Sequence, residues 1–271
     1  MNPLGRIRNR ARARTAGAQA DAFAQAPSTL ALRKILDASS TVLDLGSGPN
    51  PIEGATAAVD LLLEPSQRGH GAGGVIDPET MKARGIRFVN QSIDQPLPFD
   101  RMDFDLVYCS HVIEHVDNPG KACDEMMRVA GTGLLRCPNA MAEYLYGREY
   151  HKWLVLQRGG TVVFIEKTPD EYASFGDSRA VNPETVNPFE ALLDWAGERP
   201  STGSNGIISR LRERLQRAFY SREPLSEINL FWTAGFSWIE VRADGHIKQG
   251  GSPGRQWHYD AKGLRHDWGQ P

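Results

Sequence analysis

The segment Val42-Leu43-Asp44-Leu45-Gly46-Ser47-Gly48-Pro49-Asn50-Pro51 decides the fold of this 271-residue chain. An apolar run that ends at closely spaced glycines is typical of a buried strand that enters a loop. Glycine accepts positive φ and lets backbone N–H groups approach a ligand closely. In open parallel sheets, ligands bind at the carboxyl ends of the strands. The segment therefore predicts a ligand-binding loop, in which Asp44 can hold a cationic amine directly or through water.

A dinucleotide site is the main alternative for a glycine loop of this kind. That site has the pattern G-x-G-x-x-G, but its third glycine position is Pro51 here. Proline also lacks the N–H that a helix N-terminus offers to a pyrophosphate. The pattern disfavours a dinucleotide, although an ordinary strand-to-loop turn would use the same glycines.

Four further apolar runs follow this segment, at residues 57–63, 86–90, 104–109 and 133–137. Strands that alternate with connections in this way indicate a parallel α/β sheet. Ser28 and Asp117 are placed to cap helices before the first and the fifth strand. Beyond the fifth strand, the pattern predicts a helix at about 140–150, a hairpin at 153–157 and 161–165, and an antiparallel pair at 227–232 and 236–242.

The composition disfavours several classes of protein. The formal net charge of −2 gives no electrostatic reason to expect a nucleic-acid partner for the whole chain. No apolar run approaches the roughly 18 residues of a membrane span, so no membrane contact is expected. The three cysteines include no C-x-x-C pair, which disfavours a disulfide framework or a zinc site and favours a reducing cytoplasm.

Two further motifs define the nature of the ligand. Asp60 follows Asp44 by 16 positions at the predicted second strand, where an acid can accept both hydroxyls of a ribose. The segments 91–99 (Q-S-I-D-Q-P-L-P-F) and 104–116 (F-D-L-V-Y-C-S-H-V-I-E-H-V) come next. Over about residues 40–138, the chain resembles the class I S-adenosylmethionine-dependent methyltransferases, in particular the group with F-D-L-V and V-I-E-H-V segments.

This resemblance implies an α/β, Rossmann-like fold with a mostly parallel seven-stranded sheet, an antiparallel C-terminal strand and an acceptor-side insertion. The implied cofactor is S-adenosylmethionine. The methyltransferase domain would cover residues 27–243, with residues 140–226 as the acceptor-side cap. Residues 1–26 form a flexible basic arm in this interpretation, although a contact with an anionic partner or a transit peptide would also fit their arginines. Residues 244–271 form a tail for which we expect no strand or helix.

The resemblance also assigns cofactor-binding residues. The loop with Asp44, Gly46 and Gly48 would hold the methionine part of the cofactor, and Asp60 would hold the ribose. Ser92 and Ile93 would contact the adenine. The end of the fourth strand, with Cys109, Ser110 and His111, would face the reactive methyl group. Ser92 departs from the family, in which many members have an aspartate, and Asp94 could replace that acid. The passage from Gly48 to Val59 is also too short for the usual helix, because Pro49 and Pro51 leave room for little more than a turn.

Methyl transfer depends mainly on placement of the reactants, and a base is needed only for a protonated acceptor. His151 and His111 are the catalytic candidates. His151 lies in the aromatic and charged stretch 144–153, which we expect to line the acceptor pocket, although an ordinary surface helix would fit it as well. Glu114 and nearby histidines could hold a divalent metal, but no spacing is a metal signature, and no metal is predicted.

The sequence thus predicts a cytoplasmic methyltransferase that acts on a small-molecule acceptor, at a hydroxyl of a metabolite or sugar rather than at an amine. One alternative is a macromolecular methyltransferase for tRNA or protein, guided by the basic arm. The other is a non-catalytic binding module on the same fold. Steep salt dependence of activity would favour the first alternative, and failure to bind S-adenosylmethionine would favour the second.

Overall fold

The computed structural model describes residues 27–63, 74–146, 150–168, 226–260 and 263–265. Its helices are α1 (Pro27–Asp37), α2 (Pro78–Ala83), α3 (Pro119–Val129) and α4 (Ala140–Tyr146), with a 3₁₀ turn at Ile113–His115. Its strands are β1 (Val42–Leu45), β2 (Ala57–Asp60), β3 (Arg87–Asn90), β4 (Leu106–Ser110), β5 (Thr132–Pro138), β6 (Trp153–Arg158), β7 (Thr161–Glu166), β8 (Glu227–Thr233), β9 (Ser237–Val241), β10 (Ile247–Gly251), β11 (Arg255–Asp260) and β12 (Gly263–Arg265).

The larger sheet has eight strands in the order β12-β11-β8-β5-β4-β1-β2-β3. Strands β1 to β5 are parallel neighbours, and β8 lies antiparallel to β5. Parallel strands are covered on both faces, so they consist of continuous apolar runs, and every residue of β1 is buried. The prediction of a mostly parallel, Rossmann-like sheet with an antiparallel C-terminal strand is confirmed. The sheet has eight strands rather than the seven expected: strands β1 to β5 and β8 make six, and the C-terminal residues add β11 and β12 at the edge beside β8.

The strand order places the ligand crevice. From β1 the chain proceeds outward to β2 and β3, and it then returns to β4 on the other side of β1. Asp44 in β1 therefore has Ala58 of β2 on one side and Tyr108 of β4 on the other. Such a reversal opens a crevice beyond the carboxyl ends of the two central strands. The glycine loop after β1 and the segment after β4 both lie at this crevice.

A second sheet has the order β10-β9-β7-β6. Its hairpin of β6 and β7 confirms the predicted one, but the predicted pairing of residues 227–232 with 236–242 is wrong. Strand β8 pairs with β5 in the larger sheet, whereas β9 pairs in parallel with β7. The chain changes direction between them at Ala234 and Gly235, which have φ of 64° and 144°. The mostly buried β8 thereby gains neighbours on both sides instead of forming a local hairpin.

The prediction that residues 244–271 contain no strand is also wrong. Strand β10 pairs with β9, and β11 pairs with β8 at the edge of the larger sheet. Every residue of β10 is exposed, so the sequence shows no alternation of apolar and polar residues there. The pairing with β9 overrides the weak strand propensity of this glycine-rich segment.

Helix starts differ slightly from the predicted caps. Helix α1 begins at Pro27, so Ser28 lies within it. Helix α3 begins after Asn118 rather than after Asp117, and the fixed φ of Pro119 suits its first turn. None of the helices in the described ranges has the length and apolar character that a membrane crossing requires. The basic arm at 1–26 and most of the predicted cap lie outside the described residues.

The second sheet is fixed against α3 and the 3₁₀ turn. A methyl group on Gly120 of α3 would meet the Trp238 ring at 2.5 Å, so the helix and β9 are in direct contact. At the start of β6, Trp153 Nε1 donates to the Val116 carbonyl at 2.8 Å. The Lys152 N–H also donates to the Glu114 carbonyl at 2.8 Å. These bonds bring the residues around position 151 beside the segment that follows β4.

Candidate active site

A cavity of about 410 Å³ lies at the carboxyl ends of β1, β2 and β4. This volume falls within the usual range of small-ligand sites, roughly 300–1,000 Å³. Its wall includes five of the residues expected to hold the cofactor, namely Gly46, Gly48, Asp60, Ser92 and Ile93. His111, His115, Tyr150 and Lys152 also line this cavity.

The glycine loop uses both of its glycines, for different reasons. Gly46 and Gly48 have φ of 73° and 59°, a left-handed conformation that favours glycine. A Cβ atom on Gly46 would lie 2.5 Å from Cβ of Val112, whereas one on Gly48 would have no atom within 4 Å. Gly46 therefore permits the close packing of the loop on the segment after β4, and Gly48 borders open space in the cavity.

Asp60 connects the end of β2 to this loop. Its Oδ2 accepts the Gly48 N–H at 2.6 Å, and its Oδ1 accepts the Leu61 N–H at 2.6 Å. Each carboxylate oxygen can accept more than one hydrogen bond. Asp60 thus orients the glycine loop and lies on the cavity wall, while its contact with a ribose stays a prediction.

Asp44 does not line the cavity. It is 4% exposed, and its Oδ2 accepts the Ile52 N–H at 2.7 Å. Burial raises the pKa of Asp44 to about 7, although the Ile52 hydrogen bond lowers it. The carboxyl group fastens the passage between β1 and β2, which forms turns rather than a helix, as the prolines predict. Its contact with a cationic amine stays a prediction.

The expected adenine side is held by an internal hydrogen-bond network. Ser92 Oγ donates to Asp94 Oδ1 at 2.6 Å, and the Asn118 N–H donates to Asp94 Oδ2 at 3.0 Å. Burial raises the pKa of Asp94, but these hydrogen bonds outweigh it and lower the pKa overall. Asp94 fixes the loop after β3 to the start of α3, while Ser92 and Ile93 reach the cavity.

The residues at the end of β4 have different environments. Cys109 is fully buried, which raises the pKa of its thiol well above the ordinary value. Neither Cys109 nor Ser110 lines the cavity, whereas His111 does. His111 has a φ of 54°, which is uncommon for a residue other than glycine and occurs mostly where a surrounding structure enforces it. Its N–H donates to the Arg136 carbonyl at 2.9 Å.

A carboxylate orients the His111 ring. The Nε2 atom of His111 lies 3.3 Å from Glu227 Oε1, and Arg136 Nη2 donates to Glu227 Oε2 at 2.8 Å. Partial desolvation lowers the pKa of His111, but the hydrogen bond and charge of Glu227 outweigh it and raise the pKa. The His111 side chain is 42% exposed. A partly exposed imidazole held by a buried carboxylate is an arrangement suited to a general base.

His151 has a more enclosed environment than His111. It is 8% exposed, and its Nδ1 lies 2.6 Å from Glu143 Oε2. Glu143 also pairs with buried Lys167. Tyr150 and Lys152 on either side of His151 line the cavity. Part of the predicted acceptor segment 144–153 therefore reaches the cavity, but its residues 147–149 lie outside the described ranges.

The comparison with protein families agrees with the predicted resemblance. Residues 67–134 match the family model described as a methyltransferase domain, and the match includes the expected adenine-side loop and the end of β4. This match supports the predicted class I methyltransferase family, whose members are enzymes that use S-adenosylmethionine as the methyl donor.

Solved structures similar to this methyltransferase domain have low sequence identity to it. The [4+2]-cyclase SpnF is 18% identical, with 37% of this chain and 39% of that chain covered and a TM-score of 0.28. An S-adenosylmethionine-dependent methyltransferase of Thermotoga maritima is 22% identical, with 46% and 59% covered and a TM-score of 0.30. One from Mesorhizobium loti is 19% identical, with 55% and 66% covered and a TM-score of 0.33.

The chain spans less than two thirds of the length of each of these three structures. No curated protein sequence matches it. The acceptor of the methyltransferase domain therefore has to be inferred from its own residues.

Two glutamates near the cavity were not predicted as site residues: Glu227 orients His111, and Glu143 orients His151. Glu114 was considered only as a possible metal ligand, and it is 1% exposed between the histidines. Glu114 and His115 are adjacent in the sequence, so that pair was a visible signal. Glu143 and Glu227 gave no such signal, because they reach the histidines only through the packing of α4 and β8.

Proposed function

We propose that the protein transfers the methyl group of S-adenosylmethionine to a hydroxyl of a small-molecule acceptor, such as a metabolite or sugar. A single observation carries this proposal. One cavity brings together the glycine loop, Asp60 and a carboxylate-oriented histidine, His111.

The residues on the cavity wall fit the cofactor. Gly48 leaves open space where a side chain would otherwise project, and the Asp60 carboxylate on the same wall is a group that can accept hydrogen bonds from ribose hydroxyls. Ser92 and Ile93, which the family resemblance assigns to the adenine, also line this cavity. When bound, S-adenosylmethionine supplies a methyl group that is already activated by the sulfonium. The protein then has to bind and orient the cofactor and the acceptor, and it has to exclude water.

His111 would take the proton of the acceptor hydroxyl as the methyl group arrives. Glu227 holds one ring nitrogen, and Arg136 holds Glu227 in turn. A positioned base of this kind is what a hydroxyl acceptor requires, because its oxygen is a weak nucleophile while protonated. Tyr150 and Lys152 add an aromatic and a charged side chain to the same wall, and a few polar groups among apolar ones are typical of small-ligand pockets.

The test is a transfer assay with isotopically methyl-labelled S-adenosylmethionine. Cell extract would be separated into a small-molecule fraction and a macromolecular fraction, and each incubated with the full chain. We expect label in the small-molecule fraction, and less label with Asp60→Ala as the matched control at a cofactor concentration that does not saturate the variant. Label in tRNA or protein, with a steep salt dependence, would contradict the small-molecule acceptor. Cofactor binding without any labelled product would instead favour a binding module.

A further inference from the structure

Three histidines converge on one buried carboxylate. Glu114 Oε1 lies 3.7 Å from His111 Nδ1, 3.8 Å from His115 Nε2 and 4.0 Å from His151 Nε2. Glu114 is 1% exposed, and neither of its carboxylate oxygens has a hydrogen-bond partner. A buried charge without hydrogen bonds is costly, so such groups are normally paired or bound to a metal.

Two of the three histidines present lone pairs to Glu114. His115 Nδ1 lies 3.2 Å from the Tyr150 carbonyl oxygen, and a carbonyl can only accept, so Nδ1 carries the proton and, in the neutral imidazole, Nε2 carries the lone pair. His151 Nδ1 faces the Glu143 carboxylate at 2.6 Å in the same way. Electron-pair donors therefore face one another, and a cation between them would relieve the repulsion.

We propose that Glu114, His115 and His151 bind a divalent transition-metal cation such as Zn²⁺. Two imidazole nitrogens and one carboxylate oxygen are a ligand set that zinc and other divalent transition metals use when positions remain for water or substrate. Histidines that bind a metal almost always donate their other ring N–H to a carboxylate or a backbone carbonyl. Both histidines of this set do so.

The ligand atoms have to move closer together to bind a metal. One ligand atom from each of the three residues lies within 4.8 Å of the others. Two tetrahedral ligands at about 2.1 Å from a zinc ion are ~3.4 Å apart, so side-chain rotation has to bring the most distant ligand atoms closer by up to about 1.4 Å. The backbone already joins the two segments, since the Lys152 N–H donates to the Glu114 carbonyl at 2.8 Å.

The cation would act on the acceptor. This role rests on the proposed function, whereas the binding of the cation does not depend on that function. His115 lines the cavity, so a metal on its Nε2 would be near an acceptor. A divalent cation polarises a bound oxygen and makes its proton easier to remove. In this arrangement His151 is a ligand, and His111 remains free to act as the base.

The test uses the tag-free full chain, stripped with a chelator and titrated with Co²⁺ and then with Zn²⁺. We expect one equivalent of Co²⁺ with visible d–d absorption that Zn²⁺ displaces. In His115→Gln and His151→Gln, the affinity should fall by more than the roughly 10- to 100-fold that loss of an outer partner costs. His246→Gln, at an exposed position before β10, is the matched control and should bind as the wild type does.

Glu114→Gln adds a readout that a purely structural role would not give. Without metal, this variant should unfold at a higher temperature than the wild type, because it removes an unpaired buried charge, yet it should lose Co²⁺ binding. Absence of Co²⁺ and Zn²⁺ binding by the wild type at millimolar metal would overturn the proposal. Unchanged affinity in folded His115→Gln and His151→Gln, verified by circular dichroism, would overturn it too. Binding of S-adenosylhomocysteine, measured separately, shows whether the proposed function fails independently.

Discussion

Replacing His111 with asparagine is expected to lower kcat by about 100- to 10,000-fold, the usual contribution of a general base. The affinity for S-adenosylhomocysteine should remain close to that of the wild type, because the glycine loop and Asp60 are untouched. Asparagine is chosen because His111 has a φ of 54°, and asparagine tolerates this left-handed conformation better than alanine does.

The measurement is a steady-state assay with the acceptor found by labelled transfer, together with calorimetry of S-adenosylhomocysteine. His246→Asn, which changes an exposed histidine, is the control and should keep the wild-type kcat. A kcat for His111→Asn within a factor of about three of the wild type would contradict the assignment. His151 would then become the better candidate for the base.

Gly46→Ala should destabilise the protein far more than Gly48→Ala. Both substitutions place alanine in a left-handed conformation, which costs about 1–2 kcal/mol each. At Gly46 the new Cβ would also meet Val112 at 2.5 Å, and such overpacking adds about 1–3 kcal/mol. At Gly48 no atom lies within 4 Å of that Cβ, so only the backbone cost applies.

Urea unfolding of the two variants measures the difference in their unfolding free energies. The cost of placing alanine in a left-handed conformation is common to both variants, so the difference reports the contact with Val112. Calorimetry with S-adenosylhomocysteine adds a second comparison. In Gly48→Ala the new methyl group would lie at the cavity wall, so it should weaken S-adenosylhomocysteine binding while the fold is retained. Equal unfolding free energies for the two variants would show that the loop does not pack on Val112 as described.

The parallel half of the fold was predictable because its signals are local. Buried strands such as β1 and β4 consist of continuous apolar residues, and the prolines at 49 and 51 correctly indicated a turn in place of a helix. The pairing of the C-terminal strands could not be predicted in this way, because β8 and β9 are neighbours in sequence but belong to different sheets. Their local pattern is equally compatible with a hairpin, and only packing against β5 and β7 decides between the two.

Part of the candidate site was also predictable from local motifs, whereas the rest depends on contacts between distant segments. Gly46, Gly48 and Asp60 belong to short motifs, so the family resemblance could place them on the cavity. The roles of Glu143 and Glu227 depend on contacts between segments far apart in the chain. Burial also separates residues that the motif treats alike, since Asp44 and Cys109 lie behind the wall that His111 lines.

The most direct test of the central claim, that this cavity binds S-adenosylmethionine, is calorimetry with S-adenosylhomocysteine on the wild type and on Asp60→Ala. The wild type should bind one equivalent, and the variant should bind more weakly by about 1.5–3 kcal/mol, the value of a hydrogen bond to a charged group. Asp103→Ala, at an exposed position outside the cavity wall, is the control and should bind as the wild type does. Absence of heat with the wild type at millimolar ligand, or unchanged affinity in a stable Asp60→Ala, would contradict the account.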